Sequence, residues 1–406
     1  MLRPYFICSA VIILAFFLGG YMLEGMGIQY VSEGGTPLLK IHVYSYIILL
    51  TIGLFTLKEG VKEQLFHLDT LAKPWLFSVI MVSFVIIYGL FRYGTSGMAY
   101  IIDTFLTPLL FLLLLSRLNE NECQRLLSLV AGLLFFNSII AIIEFITASR
   151  VVNVDISSFS YFRSTALLTH PLNNALITAG LTILIFNRTR IPSIIYLSII
   201  LLAMFAFGGR AALGILLLFS FIASLPYVFR FFTHGIEISK QRFATMLCLS
   251  YFAIIAVGIV LIKSGITERI ISKLHVDESA SARFDVFYLL DQLSLTEWLF
   301  GASANLQSAI DLYLGISVIE NFIIGWIFSF GLIFTIPLLL VLVILFGSLL
   351  LRAGGISYIA VPAFFLVSIT NNSLTTKTPA LLFMITTLFL ISRIKNNSQK
   401  SFKGNK

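Results

Sequence analysis

The sequence predicts an all-α polytopic membrane protein of about twelve transmembrane helices, with one large helical loop outside the membrane. Three observations carry that fold class. Of 406 residues 58% are hydrophobic and only 11% charged, the mean hydropathy is +0.99, and long apolar stretches recur along the whole chain. A soluble domain carries roughly a quarter charged residues, far more than this chain has for covering a water-facing surface. The same composition excludes disorder, and ten prolines without a short period exclude fibrous or low-complexity repeats.

A hydrocarbon core of about 30 Å needs on the order of 20 apolar residues per helix, fewer where neighbours pack around it. By that ruler the spans lie at 5–23, 43–57, 74–91, 99–115, 126–148, 170–186, 192–207, 211–229, 244–262, 321–348, 356–371 and 379–392. Arg3 ahead of the first apolar run has the look of a secretory signal, but Gly19, Gly20, Tyr21, Met22 and Leu23 offer no small-x-small cleavage pattern, so the run is expected to stay as a helix. The organisation that follows is residues 1–262 for helices one to nine, 263–320 for the large loop, 321–392 for helices ten to twelve and 393–406 for a basic tail.

Lysine and arginine set the sidedness. With the amino terminus inside, the inner segments hold 17 of the 27 basic residues, and four of the outer ones, Lys263, Arg269, Lys273 and Arg283, sit in the long loop that the rule barely constrains. Both termini are therefore expected on the inner side. The formal charge of +8 then reflects topology and contact with anionic membrane lipids rather than nucleic-acid binding. Cys8, Cys123 and Cys248 fall in or beside spans or on the inner side, so no disulfide or cysteine-based metal site is implied.

The unusual chemistry sits on the expected outer side. The break from 263 to about 320 is too long for a connector. Arg283, Phe284, Val286, Phe287, Leu289, Leu290 and Leu293 have helical spacing with an apolar face, so an amphipathic helix is expected there, then a turn at Gly301 and a second short helix. A folded cap without chemistry fits the same pattern. Before the sixth span, Arg163 precedes His170, Pro171, Asn173 and Asn174. Simple helix capping explains these residues, and so does an anion held at a helix amino terminus beside an arginine. In FAFGGRAALG, Gly208 and Gly209 free the backbone of a tight turn that holds Arg210 close to hydrocarbon, where it either snorkels to lipid phosphate or meets a bound anion. Guanidinium grips phosphate with two hydrogen bonds at once, so Arg163, Arg210 and Arg283 together would suit a lipid-linked pyrophosphate.

Taken in order, YFRSTALLTHPLNNA, FGGRAAL, SARFDVFYLL, WLFGASAN and ENFIIGWIFSFGLIF resemble the O-antigen ligase and Wzy-type polysaccharide polymerase superfamily, by motif over residues 150 to 340 and by topology over the whole chain. The resemblance implies a GT-C-type, metal-independent inverting glycosyltransferase with no other cofactor, acting at the outer face of a bacterial inner membrane with both termini cytoplasmic, whose donor is a glycan on undecaprenyl pyrophosphate. It implies that Arg163, Arg210 and Arg283 bind and neutralise the pyrophosphate leaving group, and that a flippase and a chain-length regulator of the same pathway are partners. Ligases of the superfamily have His-Asn where this chain has Glu320 and Asn321, and polymerase-like members show an acid-Asn pair, so the departure favours polymerase over ligase.

Pyrophosphate is already a good leaving group, so catalysis must stabilise its charge, orient the acceptor hydroxyl and remove a proton. Glu320 is the expected base or hydroxyl-orienting group, with Asn321 beside it and His170, Asn174 and His275 as further substrate contacts; a solvated acid at a helix start is the bland alternative for Glu320. The rival class is a transporter or lipid-linked glycan flippase. Against it, the chain shows no convincing internal repeat, and Asp103 is the clearest ionisable residue inside a span.

Overall fold

The computed structural model describes residues 3–32, 35–152, 162–168, 170–235, 290–306 and 319–404, with 239–241, 243–245, 247, 248, 251, 255 and 287. Every regular element among the described residues is helical: α1 (Pro4–Phe17), α2 (Gly20–Gly25), α3 (Val43–Glu59), α4 (Val61–Leu68), α5 (Ala72–Ile101), α6 (Thr107–Leu115), α7 (Glu120–Thr147), α8 (Pro171–Ile185), α9 (Ser193–Phe207), α10 (Arg210–His234), α11 (Leu295–Phe300), α12 (Phe322–Ala353), α13 (Ser357–Ile369) and α14 (Ala380–Gly404), with short 3-10 turns and a π-turn at Ile102–Leu106. Among the described residues five helical stretches are long and apolar enough to cross a membrane: Val61–Thr95, Gly97–Leu115, Glu120–Thr147, Arg210–His234 and Phe322–Ala353. The chain is an α-helical membrane protein. Four shorter apolar helices, Pro4–Phe17, Pro171–Ile185, Ser193–Phe207 and Ser357–Ile369, accompany them.

Local chemistry starts these helices where they start. Asn119 accepts from Glu122 N–H while the Glu122 carboxylate takes Asn119 N–H, both at 3.0 Å, closing a capping box on α7. Prolines open α1 and α8, where their missing N–H costs nothing. Residues Ala380–Ser392 of α14 and all of α8 except Leu172 are buried, so these two helices, apolar on nearly every face, form the centre of the first unit. They touch each other, and α14 also packs on α6, α7 and α12, while α8 packs on α7, α9 and α13.

The chain divides into two compact units. The first comprises residues up to Ser220 and from Leu293 onward; the second, Phe221–Gln292, contains the continuation of α10, with Phe221, Tyr227, Phe229 and Phe232 exposed. In the first unit the expected inner charges gather at one end. Arg117 pairs with Glu59 at 2.6 Å over the Phe55 ring, Arg352 with Asp69 at 2.9 Å, and Arg393 donates to the Ser116 carbonyl. This basic end is opposite the connections at 18–42, 162–170, 208–209 and 370–379, which join one another through the contacts described below.

The WLFGASAN and IFSFGLIF segments pack together. Gly331 breaks the helical path of α12 at φ 72°, and Leu299 and Phe300 press against it so closely that no side chain fits. Gly301, at φ 92°, lies against Ser329, where a β-carbon would come within 2.6 Å of the carbonyl oxygen. The break frees the Phe328 carbonyl, which accepts Ala302 N–H at 2.7 Å. Arg92 reaches across from α5 to donate to the carbonyls of Phe300, Gly301 and Ala302. The turn expected at Gly301 is present, with the short helix α11 ahead of it; behind it Ala304, Asn305 and Leu306 are helical, and the rest of the second short helix expected there lies outside the described residues. Most of the amphipathic helix expected from Arg283 lies outside the described residues, with Phe287 and Leu290 helical, as does most of the ninth span.

Candidate functional site

A polar stripe on α7 explains how the segment after it enters the bundle. Asn137, Ala141 and Glu144 fall on one helical face, all buried. The Glu144 carboxylate accepts the backbone N–H groups of Val151, Thr165 and Ala166 at 2.8, 2.8 and 2.9 Å, and Asn137 accepts that of Leu167 at 3.0 Å. Ser164 donates to the Ala141 carbonyl at 2.7 Å. Backbone polar groups at this depth need partners, and α7 supplies them, so residues 162–168 are held as an irregular segment inside the bundle with Ala166 at φ 42°.

That segment positions Arg163. Ser164 N–H bonds to the Ala206 carbonyl at the end of α9, at 3.0 Å, and the Arg163 side chain lies across Gly208, where a β-carbon would sit 3.3 Å from its Cγ, Cδ and Nε. Gly209, next in the turn, is equally hemmed in: a β-carbon there would come within 2.7 Å of Ala175 Cβ on α8. Arg210 follows as the first residue of α10 and is exposed. The FRST, HPLNNA and FGGR segments, separate in sequence, therefore meet at one end of the first unit.

At the start of α8 the expected capping roles differ from the observed ones. His170 occupies the N-cap position, but its side chain makes no capping bond, and its buried Nδ1 has no hydrogen-bond partner. Asn174 is fully buried; its amide donates to the Thr165 and His170 carbonyls, and its oxygen accepts from Asn137 at 2.8 Å. Asn174 thus ties the inserted segment to α8. Asn173 faces the connection between α13 and α14, accepting from Ser373 Oγ at 2.6 Å. Asn371 and Thr104 hold that connection further, Asn371 by accepting Ser373 N–H and Thr104 by donating to the Thr376 carbonyl, both at 2.9 Å.

A cavity of about 380 Å³ opens between this connection, the start of α8 and the segment 18–42. Its polar lining includes His170, Asn173, Asn372, Lys377, His42 and Tyr30. Beneath it lies Asp103, fully buried, accepting from Tyr30 OH at 2.8 Å, Ser45 Oγ at 2.6 Å and His42 N–H at 3.0 Å. Lys377 lies 4.3 Å from the Tyr30 ring centroid and donates to the Tyr30 carbonyl. Burial pulls the Lys377 ammonium down to about 8, with the nearby Asp103 carboxylate opposing the shift. Burial likewise pulls the His42 imidazole down to about 4, so it is neutral at pH 7. His42 is 3% exposed, and its ring bonds the Leu18 carbonyl at 2.6 Å.

Glu320 and Asn321 stand at the head of α12, both half-buried. The cap is Asn321, whose Oδ1 accepts Ile323 and Ile324 N–H at 3.0 and 3.3 Å. One turn into that helix, a β-carbon on Gly325 would meet Thr375 Cγ2 at 3.0 Å, so the head of α12 abuts the Ser373–Thr375 turn that holds Asn173. Arg163, His170, Asn174 and Asn321, with the Arg210 turn, therefore belong to one neighbourhood; Arg283 and His275 lie outside the described residues. Lys377, Asn173, Asn372 and Tyr30 are additions of the structure. Among the described residues no group of three His, Cys, Asp or Glu side chains is placed to hold a metal ion. No protein-family model matches the chain, and no curated protein matches it.

Proposed function

We propose that the chain is a polysaccharide polymerase that joins undecaprenyl-pyrophosphate-linked oligosaccharide units at the outer face of a bacterial inner membrane. The observation that supports this reading is the convergence of Arg163, the Gly208–Arg210 turn and the start of α8 at the end of the bundle opposite the basic one, beside a cavity lined by hydroxyl, amide and aromatic groups. The twelve-span topology with both termini inside belongs to the same proposal: it makes the basic end cytoplasmic and the cavity end external.

In the proposed reaction an acceptor hydroxyl oxygen attacks the anomeric carbon of the donor. The bond from that carbon to the pyrophosphate oxygen breaks, the pyrophosphate leaves with its electron pair, and the hydroxyl proton passes to Glu320. Arg163 and Arg210 neutralise the growing charge, which stabilises the transition state more than the ground state. No metal enters the scheme.

A lipid-linked glycan flippase would use buried ionisable groups such as Asp103 and Glu144. Here both carboxylates are committed to holding loop backbone and neighbouring hydroxyls, which favours the enzyme. The ligase reading differs only in acceptor, and the acid at Glu320 favours a polymerase.

The test uses membranes supplied with a lipid-linked repeat unit. Arg163→Ala and Arg210→Ala are expected to abolish polymer at normal protein abundance, and Glu320→Gln to lose product while still binding donor. Full polymer from Arg210→Ala removes that arginine from the mechanism, and equal loss of binding and product in Glu320→Gln makes Glu320 structural.

A further inference from the structure

At the basic end of the first unit, away from the cavity, a groove of about 800 Å³ opens between the first turns of α7 and the chain leading into α9. Its lining includes Asn121, Gln124, Arg125, Ser128, Gly132 and Arg190. Asn121, Arg125, Ser128, Gly132 and Phe136 form one stripe along α7, and the stripe changes character along its length. The first three are exposed and polar, whereas Phe136 is apolar and 46% exposed. Between them, a β-carbon added at Gly132 would meet nothing within 4 Å, so the groove stays open as it passes from its polar mouth toward the apolar surface.

The mouth is held in shape. Ser128 Oγ donates to the Arg188 carbonyl at 2.7 Å, pinning the α8–α9 connection, and with it Arg190, against α7. Glu120 and Glu122 share the first turn of α7, but neither lines the groove, whose charged lining consists of Arg125 and Arg190. Paired guanidinium groups beside amide and hydroxyl donors match a phosphodiester. An open slot continuing into exposed apolar surface matches an acyl chain, which a soluble anion lacks.

We propose that this groove binds one anionic phospholipid of the leaflet at the basic end. Its phosphodiester sits between Arg125 and Arg190, and one acyl chain runs over Gly132 toward Phe136. The site is independent of the reaction proposed above, since it uses none of the residues that reaction needs.

The test uses the full chain purified in a neutral detergent, with phosphatidylglycerol, phosphatidylcholine and inorganic phosphate as probes. Melting temperature and lipid retained in native mass spectrometry are the readouts. Phosphatidylglycerol is expected to raise the melting temperature and to be retained, and phosphatidylcholine to do neither. The double variant Arg125→Ala, Arg190→Ala removes two exposed side chains and is expected to bind phosphatidylglycerol about thirty-fold more weakly, at roughly one headgroup-range charge interaction per arginine. Gly132→Leu fills the slot and is expected to weaken phosphatidylglycerol while leaving any response to phosphate unchanged. Equal stabilisation by phosphatidylcholine, or unchanged phosphatidylglycerol affinity in the double variant, overturns the proposal. Displacement of the lipid by free phosphate, with Gly132→Leu silent, also overturns it and assigns the groove to a soluble anion.

Discussion

The side chain of Arg163 lies across Gly208, close enough that a β-carbon on the glycine would sit 3.3 Å from three of its atoms. Two segments 45 residues apart thereby fix one another: the glycine, at φ 71°, makes room for the arginine, and the arginine covers the turn that starts α10. Gly208→Ala should strain the backbone by about 1–2 kcal/mol and push Arg163 aside. The expected outcome is loss of polymer well beyond any loss of protein, read as product per unit of membrane-inserted chain. Wild-type product from this variant would show that Arg163 need not be held there.

Glu144 is expected to matter for folding rather than chemistry. Its two oxygens accept three backbone N–H groups, and Glu144→Gln turns an amide NH2 toward donors that need an acceptor. The cost is about 2–3 kcal/mol for a buried group left without its partner. Lower melting temperature and lower abundance should appear together, and an unchanged melting temperature would contradict the account of the inserted segment.

Lys377 gives the cavity a pH dependence. Burial lowers its pKa to about 8, so the folded protein holds that proton less tightly than the unfolded chain, in which lysine titrates near ~10.4. Raising the pH through this window therefore relieves a penalty and slightly stabilises the fold. The ammonium over the Tyr30 ring is lost across the same range, so donor affinity is expected to fall as pH rises through about 8. Lys377→Arg, which stays charged, should move that limb to higher pH; an unmoved limb would assign the titration to another group.

Glu297 closes a capping box on α11 and also takes the Ser303 N–H at 3.0 Å. Its bonds to Ser303 and then Ser294 hold its carboxyl down at about 2. A depressed carboxyl contributes stability that is complete above about 4.3, the ordinary glutamate value, and is lost as pH falls toward 2. The α11 turn should therefore loosen only below about pH 4 and be looser at neutral pH in Glu297→Gln, as read by hydrogen exchange of the backbone N–H of Ser303. That exposed position also reports sidedness: with Cys248 changed to serine, an impermeant thiol reagent should label Ser303→Cys in intact cells. Protection there, with labelling of an Asn121→Cys variant, would reverse the orientation.

The helical membrane class was legible because composition alone decides the solvent, and Arg163, His170 and the Gly208–Arg210 turn were legible because glycine pairs and arginines are conspicuous beside apolar runs. Glu144 escaped notice although its signal, a polar stripe with Asn137 on one face of α7, is present in the sequence; what it binds is backbone, which carries no sequence signature. Lys377 and Asp103 are 274 residues apart and meet only because the connection between α13 and α14 folds over the π-turn. Asn174 showed its importance but not its role, since capping and tertiary anchoring ask for the same residue type. The WLFG and FSFG motifs read as marks of a family, and their glycines turn out to be where two backbones touch.

The central claim is tested most directly in cells deleted for this gene, by extracting the carrier-linked glycans and the surface polysaccharide and sizing both. Single repeat units on the lipid carrier, with surface glycan no longer than one unit, are the result the account predicts. Long polymer stranded on the carrier would mean a ligase, and single units confined to the inner leaflet would mean a flippase; either contradicts the polymerase reading.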